Sequence, residues 1–520
     1  MLGFVQRHED KVTGVLNGFD RLRFRGTLRK LVFLEGMMEF LWRTKVLLKD
    51  FGAYVERITQ QVTTAVEQTA KLAGRPMRYL RSSNMDKEAE AREIAAADQV
   101  AEGLICVLSC VENCQSFEVG PNRQIRQLEL RFVPRKCRHY YFYLQHARFG
   151  LMHVRLQSWF PFDMRVCMNG REWLCRELDR ADIAYVRREN CVLDVADVTA
   201  AQRLLDRQLK TNWTMLLNEM ADLAHPLRRE IFRAWPVDYY WSLDESEWAS
   251  DVLFRSPELL ASIYPPLVSH AIRCLNSRDV MRFLGRKVPA TGVNPRFRGQ
   301  VISDLKQRPE GVRIKHRLNA NSIKMYDKQG SVLRVETTIN DPHDFSVYRT
   351  KETDPEGPKS WLRLRKGVAD VYRRAEVSQA ANERYLESLA TVEQSTPLAD
   401  LIAPLCKRTS YRGRSVRALN PLAGPDASLL ETINRGEFAI NGFRNRDLQV
   451  YLYPAPADSL TERRCRSART SRQLRMLRAH GLIKKIATTH RYQLTDLGRS
   501  AIAALLAARQ ADTAKLTAAA

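Results

Sequence analysis

Five carboxylates, Asp20, Asp244, Glu247, Asp251 and Glu336, are the side chains with which this chain could carry out metal-assisted phosphoryl chemistry. Two divalent ions about 3.5–4 Å apart are held by shared oxygens, so such a site needs three or four carboxylates brought together from separate elements. Asp20 lies beside a segment that reads as extended, and Glu336 lies on an expected strand. Asp244, Glu247 and Asp251 fall in Ser-Leu-Asp-Glu-Ser-Glu-Trp-Ala-Ser-Asp, at the start of an expected helical stretch from Asp244 to Gly285. On a helix those three acids share one face. Asp20, Glu247, Asp251 and Glu336 are therefore the candidate catalytic set, with a divalent metal such as Mg²⁺ as the cofactor that nuclease chemistry would require. The plainer alternative is a solvated acidic helix face, with Glu336 paired to Arg334 or to a cross-strand lysine.

Other chemistries are poorly served. Cys106, Cys110, Cys114, Cys137 and His139 do not have the short Cys-x-x-Cys spacing of a zinc knuckle, and Leu104–Val111 reads as a buried strand in which cysteine acts as a small hydrophobe. There is no Gly-Lys-Thr/Ser phosphate loop and no Gly-x-Gly-x-x-Gly after a strand, so nucleotide hydrolysis has no support. The aromatic runs Tyr140–Tyr143 and Tyr239–Trp241 could stack single-stranded bases, but alternation along a strand sends half of the first run into a core.

The elements that must position these groups come from a chain of 520 residues, too long for one core and expected to divide into several domains. Hydrophobic residues make up 44% and charged residues 27%, an ordinary globular balance. The 83 Lys and Arg against 59 Asp and Glu leave a formal charge of +24, which points to a polyphosphate partner. DNA is the expected partner and RNA a second possibility. No apolar run reaches the ~20 residues of a membrane span and the first ten residues lack the core of a signal peptide, so a cytoplasmic protein with no membrane partner is expected.

Lys11–Thr27 reads as extended around a turn-like Leu16–Asp20, followed by Arg21, Arg23 and Arg25 on one side of a strand. Helices are expected over Lys30–Leu72, Asp86–Glu102, Thr199–Ala224 and Trp361–Val392. Strands are expected at Leu104–Val119, through Gln127–Met168, and over Gly311–Arg317, Ser322–Asp327 and Val332–Ile339. In the last of these, Arg334, Glu336 and Thr338 form a charged face, expected to be exposed or functional. The fold class is α+β multidomain, with mixed or antiparallel sheets and helices in the body. Regions 1–125, 126–225 and 226–395 form that body, 396–425 is a basic, proline-containing linker, and 426–510 is a C-terminal module.

That module carries the most specific pattern. Seven arginines from Arg463 to Arg478 ride on a helix-compatible run closed by His480-Gly481; a strand, a turn and a strand follow from Leu482, and a last helix starts at Asp496. Leu-Arg-Ala-His-Gly-Leu-Ile, a basic β-wing and Tyr-Gln-Leu-Thr-Asp-Leu-Gly together resemble the winged helix-turn-helix of MarR-like regulators over about 80 residues. The resemblance implies a recognition helix in the major groove and a wing on the flanking backbone. It implies Arg469, Arg472, Arg475, Lys484, Lys485, His490 and Arg491 as DNA contacts. The rest of the chain resembles a group of bacterial proteins, a resemblance that implies no activity. Lys324-Met-Tyr-Asp-Lys328 with Leu333-Arg-Val-Glu336 is also similar to a strand pair of phage and plasmid replication initiators. The paired-histidine metal motif of those initiators is absent: His139, His146 and His153 are seven residues apart. The expected function is nucleic-acid binding of mobile-element type, transposase-like or replication-initiating; a non-enzymatic transcriptional regulator and a structured-RNA-binding protein are the alternatives.

Overall fold

A computed structural model describes the chain apart from residues 1, 289–296, 309–310, 352, 391–397, 436, 439–441, 487–488 and 512–520. In chain order the body strands are β1 Val12–Thr27, β2 Met77–Tyr79, β3 Gly103–Asn122, β4 Gln127–His146, β5 Gly150–Gln157, β6 Met164–Asn169, β7 Tyr185–Arg188, β8 Cys191–Val195, β9 Tyr240–Phe254, β10 Val301–Arg308, β11 Gly311–Leu318, β12 Asn321–Lys328 and β13 Val332–Ile339. Helices and strands are both abundant, and the α+β class holds. The chain divides into two compact units, one of Gly14–Leu253 with Glu336–Gln379, the other of Met1–Thr13, Phe254–Val335 and Ala380–Ala520.

In the first unit the strands are ordered β13-β9-β1-β6-β5-β4-β3-β2. From β3 to β6 each strand turns back on the one before it, β1 joins β6 antiparallel, and β2 joins β3 in parallel. The helix Phe51–Leu72 is amphipathic: Tyr54, Ile58, Val62, Ala65, Val66 and Ala70 recur at helical spacing and are buried. Its Thr63 hydroxyl lies 2.7 Å from the Tyr140 hydroxyl on β4. Tyr140, Tyr141, Phe142 and Tyr143 are all buried, as are Tyr239 and Trp241, so these six are core, while Tyr240 between the last two is exposed under the Arg29 guanidinium.

In the second unit β10, β11 and β12 form antiparallel hairpins beside β13. The segment 396–425 carries a short helix, Leu398–Ile402, and a hairpin of Thr409–Tyr411 with Arg414–Val416. Its Leu405 and Leu419 share a core with Leu429, Leu430, Leu474, Leu477, Leu482 and Ile502 from the residues that follow. Beyond it come helices Gly424–Ile433, Asn445–Leu452 and Leu460–Ala479, the strand pair Ile483–Lys485 with Tyr492–Leu494, and the helix Asp496–Gln510. Ser459 caps the long helix by accepting from the Glu462 amide, and Gly481, at φ +70°, lets the chain turn after it.

Three local expectations are corrected. The acidic segment expected to open a helix is instead the strand β9, and helices begin only at Pro257–Arg273 and Ser277–Phe283. The turn-like Leu16–Asp20 lies inside the long strand β1. The stretch from Trp361 starts with a short strand, Ser360–Arg363, and its helix runs Val371–Leu389, while residues 391–392 lie outside the described residues. The charged face of β13, expected to be exposed or functional, is buried, with Arg334 0% and Glu336 1% accessible.

Candidate metal centre and basic surfaces

Three of the candidate acids meet. Asp20 on β1, Glu247 on β9 and Glu336 on β13 offer carboxylate oxygens that all lie within 4.8 Å of one another. These are three adjacent strands of the first unit. Contacts between β1 and β9 run in opposite senses: Arg25 O accepts from the Ser242 hydroxyl at one end, and Phe19 meets Trp248 edge-on, 4.8 Å between centroids, at the other. The two strands are thus antiparallel, and Asp20 and Glu247 stand at the same level along the pair.

Local packing explains how each acid is held. The helix Gly170–Arg180 starts against β1 so closely that a Cβ on Gly170 would lie 2.0 Å from the Phe19 carbonyl oxygen. That position tolerates only glycine, and the close approach fixes the backbone next to Asp20. The Asn190 side-chain amide donates to Asp20 Oδ1 at 3.0 Å. Next to Glu247, the Trp248 indole N–H donates to Gln379 Oε1 at 2.8 Å. Arg374, buried beside β9, donates to the Leu243 carbonyl and, at 3.4 Å, to the Ser246 hydroxyl. Burial holds the Arg374 guanidinium pKa down to about 10 against the pull of Asp244, Asp370 and Asp341.

Two arginines of β1 meet the acids of β9. Arg21 lies 3.0 Å from Glu247 and 2.9 Å from Glu245, and Arg23 lies 3.3 Å from Glu245. Burial works against the charged form of Arg21, but Glu247, Glu245 and Glu336 outweigh it and raise its pKa above the ordinary value. Arg21 and Arg23, each about two-fifths exposed, thus pair with Glu247 and Glu245 at the cluster. A donor set made wholly of carboxylate oxygens suits a hard divalent cation such as Mg²⁺ or Mn²⁺. Among the described residues this is the one group of three or more His, Cys, Asp or Glu side chains with metal-binding geometry.

Asp251 is placed elsewhere. Its carboxylate pairs with Arg171 at 2.9 Å, both side chains 1% exposed, and Arg171 also donates to the Ala249 carbonyl at 3.1 Å. Asp244, half-buried, accepts from the Ser242 hydroxyl at 3.3 Å. Cys106 and Cys110 are core thiols pushed up by burial to about 12 and about 11, and His139 Nδ1 sits 3.2 Å from the Cys137 carbonyl oxygen, held to about 4 by burial. Sequence reasoning did not single out Glu245, Asn190, Arg171 or Arg374. The alternate arginines of β1 were the available signal for Glu245, because a row of cations on one face of a strand asks for acids on its neighbour.

In the second unit, Arg469, Arg472 and Arg475 are exposed on the helix Leu460–Ala479 and line a cleft of about 600 Å³ together with Ser415, Arg417 and the start of the helix Gly424–Ile433. Lys484, Lys485 and His490 are exposed on the strand pair and its turn; Arg491 is half-buried and donates to the Gly442 carbonyl at 3.2 Å. Phe443 and Tyr492 exchange two backbone hydrogen bonds of 2.8 Å, which adds a third short extended segment to that pair. No helix among the described residues is long and apolar enough to cross a membrane.

Comparison with known proteins finds no family model and no curated protein that matches the chain. One solved structure, the crystal structure of the di-domain ARO/CYC BexL from the BE-7585A biosynthetic pathway, aligns at 11% identity over 56% of this chain and 99% of that one, with a TM-score of 0.17, a likeness too slight to support any inference.

Proposed function

We propose that this chain is a nucleic-acid enzyme of mobile-element type, transposase-like or replication-initiating, in which Asp20, Glu247 and Glu336 hold a divalent cation at a phosphoryl-transfer site. The observation that carries the reading is the approach of those three acids, from three strands, to within 4.8 Å. Buried like charges are costly, and a constellation that concentrates them is stabilised by the cation it binds. A divalent ion there would polarise a phosphate oxygen and lower the pKa of a bound water. The chain's own groups do the rest: Asn190 orients Asp20, Arg21 and Glu245 hold Glu247 in place, and Arg23 presents a partly exposed guanidinium at the rim for a phosphate. In the same reading the C-terminal module is a winged helix-turn-helix that supplies duplex affinity. Its helix, strand pair and closing helix, with Arg469, Arg472, Arg475, Lys484, Lys485 and His490 exposed, support that assignment.

The test uses the full chain. Mn²⁺ binding is followed by paramagnetic resonance, and cleavage by Mg²⁺ or Mn²⁺ on single-stranded, duplex and branched DNA. Asp20→Asn and Glu336→Gln should each weaken Mn²⁺ binding and abolish cleavage while DNA binding persists. A wild-type protein that binds DNA, holds no Mn²⁺ and cuts nothing would replace this reading with the transcriptional regulator.

A further inference from the structure

The hairpins β10–β11–β12 carry a second basic surface, separate from the C-terminal arginines. In their antiparallel register Asp304 stands opposite Lys315, Lys306 opposite Arg313, Lys315 opposite Lys324, and Arg313 opposite Tyr326. Because side chains alternate along a strand, Lys306, Arg313, Lys315, Arg317, Lys324 and Tyr326 share one face, with Asp304 as the acid among them. The other face holds Ile314, His316, Leu318, Ile323 and Met325, all buried. The basic face is thus the more open side of the sheet, with Lys306 and Arg317 exposed, Arg313, Lys315, Lys324 and Tyr326 half-buried, and Ser322 buried.

Asp304 pairs with Lys306 at 3.6 Å, and the remaining cations stand close together. Like charges directly opposite each other on neighbouring strands are destabilising, and Lys315 faces Lys324 with Arg313 and Arg317 on either side. Burial lowers the Lys315 pKa below its ordinary value; Lys324, Arg313 and Arg317 push it the same way, against Asp304. The three cations of β11 recur every second residue, about 6.8 Å apart, a row that runs along the strand as a phosphate backbone would. Tyr326 supplies an aromatic side chain among them.

We infer that the β10–β12 face binds a single strand of nucleic acid, its phosphates along Arg313, Lys315 and Arg317 and a base against Tyr326. Charge complementarity selects a polyphosphate, and a flat sheet face with an aromatic residue suits unpaired bases better than a closed duplex. The choice of nucleic acid as occupant rests on the proposed function. The site itself does not depend on the carboxylate cluster.

The experiment therefore runs in EDTA, where no metal-dependent step contributes. Fluorescent dT20 and a matched 20-base-pair duplex are titrated against the full chain and the variants Lys315→Gln/Arg317→Gln and Tyr326→Ala, across a salt series. The double variant should weaken dT20 binding at least tenfold and flatten the slope of log affinity against log salt by roughly 1.4, about 0.7 for each lost phosphate contact. Duplex affinity should change far less. Lys315→Gln alone should leave the melting temperature unchanged or raise it, since it removes a like-charge contact; a fall would make Lys315 a structural residue and overturn the inference. Unchanged dT20 affinity in the double variant, or an equal loss on duplex, overturns it too. Cleavage defects in Asp20→Asn with normal dT20 binding bear on the metal site alone, so the two readings fail separately.

Discussion

Replacing Asp251 by Asn tests whether that acid belongs to the metal site or to the scaffold. Its carboxylate and the Arg171 guanidinium are 2.9 Å apart and each 1% exposed. Arg171 also donates to the Ala249 carbonyl on the same strand, so the arginine ties the start of the helix Gly170–Arg180 to β9, two residues beyond Glu247. Asn keeps the shape but leaves a buried guanidinium without its counter-charge, and breaking a buried pair from one side costs about 3–5 kcal/mol. At roughly 2–4 °C per kcal/mol, the transition that reports this unit should fall by about 6–20 °C. Replacing both partners by apolar residues of similar volume, Arg171→Met with Asp251→Leu, should recover most of that loss, because no buried charge is then left alone. Scanning calorimetry of wild type, both single variants and the double completes the cycle. The reasoning is refuted if Asp251→Asn melts with the wild type and loses Mn²⁺ binding, for then the acid is a ligand and its pairing with Arg171 is incidental.

The acid cluster gives a second expectation: Glu336→Gln should abolish the rise in melting temperature that Mn²⁺ gives the wild type, read by calorimetry. Acid should destabilise the fold through buried histidines. Burial holds His139 and His316 at about 4 and His225 at about 3, against 6.5 for the free side chain. The unfolded chain thus takes up protons first as pH falls below 6.5, and stability drops by up to about 1.4 kcal/mol per pH unit per histidine down to the folded value. Melting temperatures from pH 7 to 4.5 should fall steadily, and His316→Gln should shallow that fall. On duplex DNA, neutralising Arg469, Arg472 and Arg475 together should flatten the salt slope by up to about 2.7, near 0.9 per contact, and an unchanged slope would remove that helix from the interface.

What could be read from sequence divides along the strands of the site. β13 was legible because Leu333, Val335, Thr337 and Ile339 alternate with polar residues, and β1 because arginines recur at every second position. β9 was not. Ser-Leu-Asp-Glu-Ser-Glu-Trp-Ala-Ser-Asp is polar and lacks alternation, yet Ser246, Ala249 and Ser250 are all 0% exposed, because this strand lies between two others and is covered on both faces. Small polar residues fit there because Trp248 and the buried Arg374 and Arg171 fill the space and take up the hydrogen bonds. β13 is buried throughout as well, but its apolar residues fall at every second position and leave a period to read, whereas the small and acidic residues of β9 leave none.

The same burial explains why the acids were visible one by one and their meeting was not. Composition offered five carboxylates with nothing to rank them, and a helical reading grouped Asp244, Glu247 and Asp251 by spacing alone. On a strand that spacing has a different meaning: what brings Glu247 to Asp20 is the pairing of β9 with β1 across more than 200 residues of chain, and what brings Glu336 is β13 on the other side. Asp251, four residues further along, faces the helix that opens at Gly170 and meets an arginine instead. Two acids on one strand thus have different surroundings: Asp251 pairs with Arg171 where both are buried, while Glu247 pairs with the partly exposed Arg21 and lies beside Asp20 and Glu336. The proposed metal site rests on that second arrangement, whose carboxylate oxygens suit a hard divalent cation.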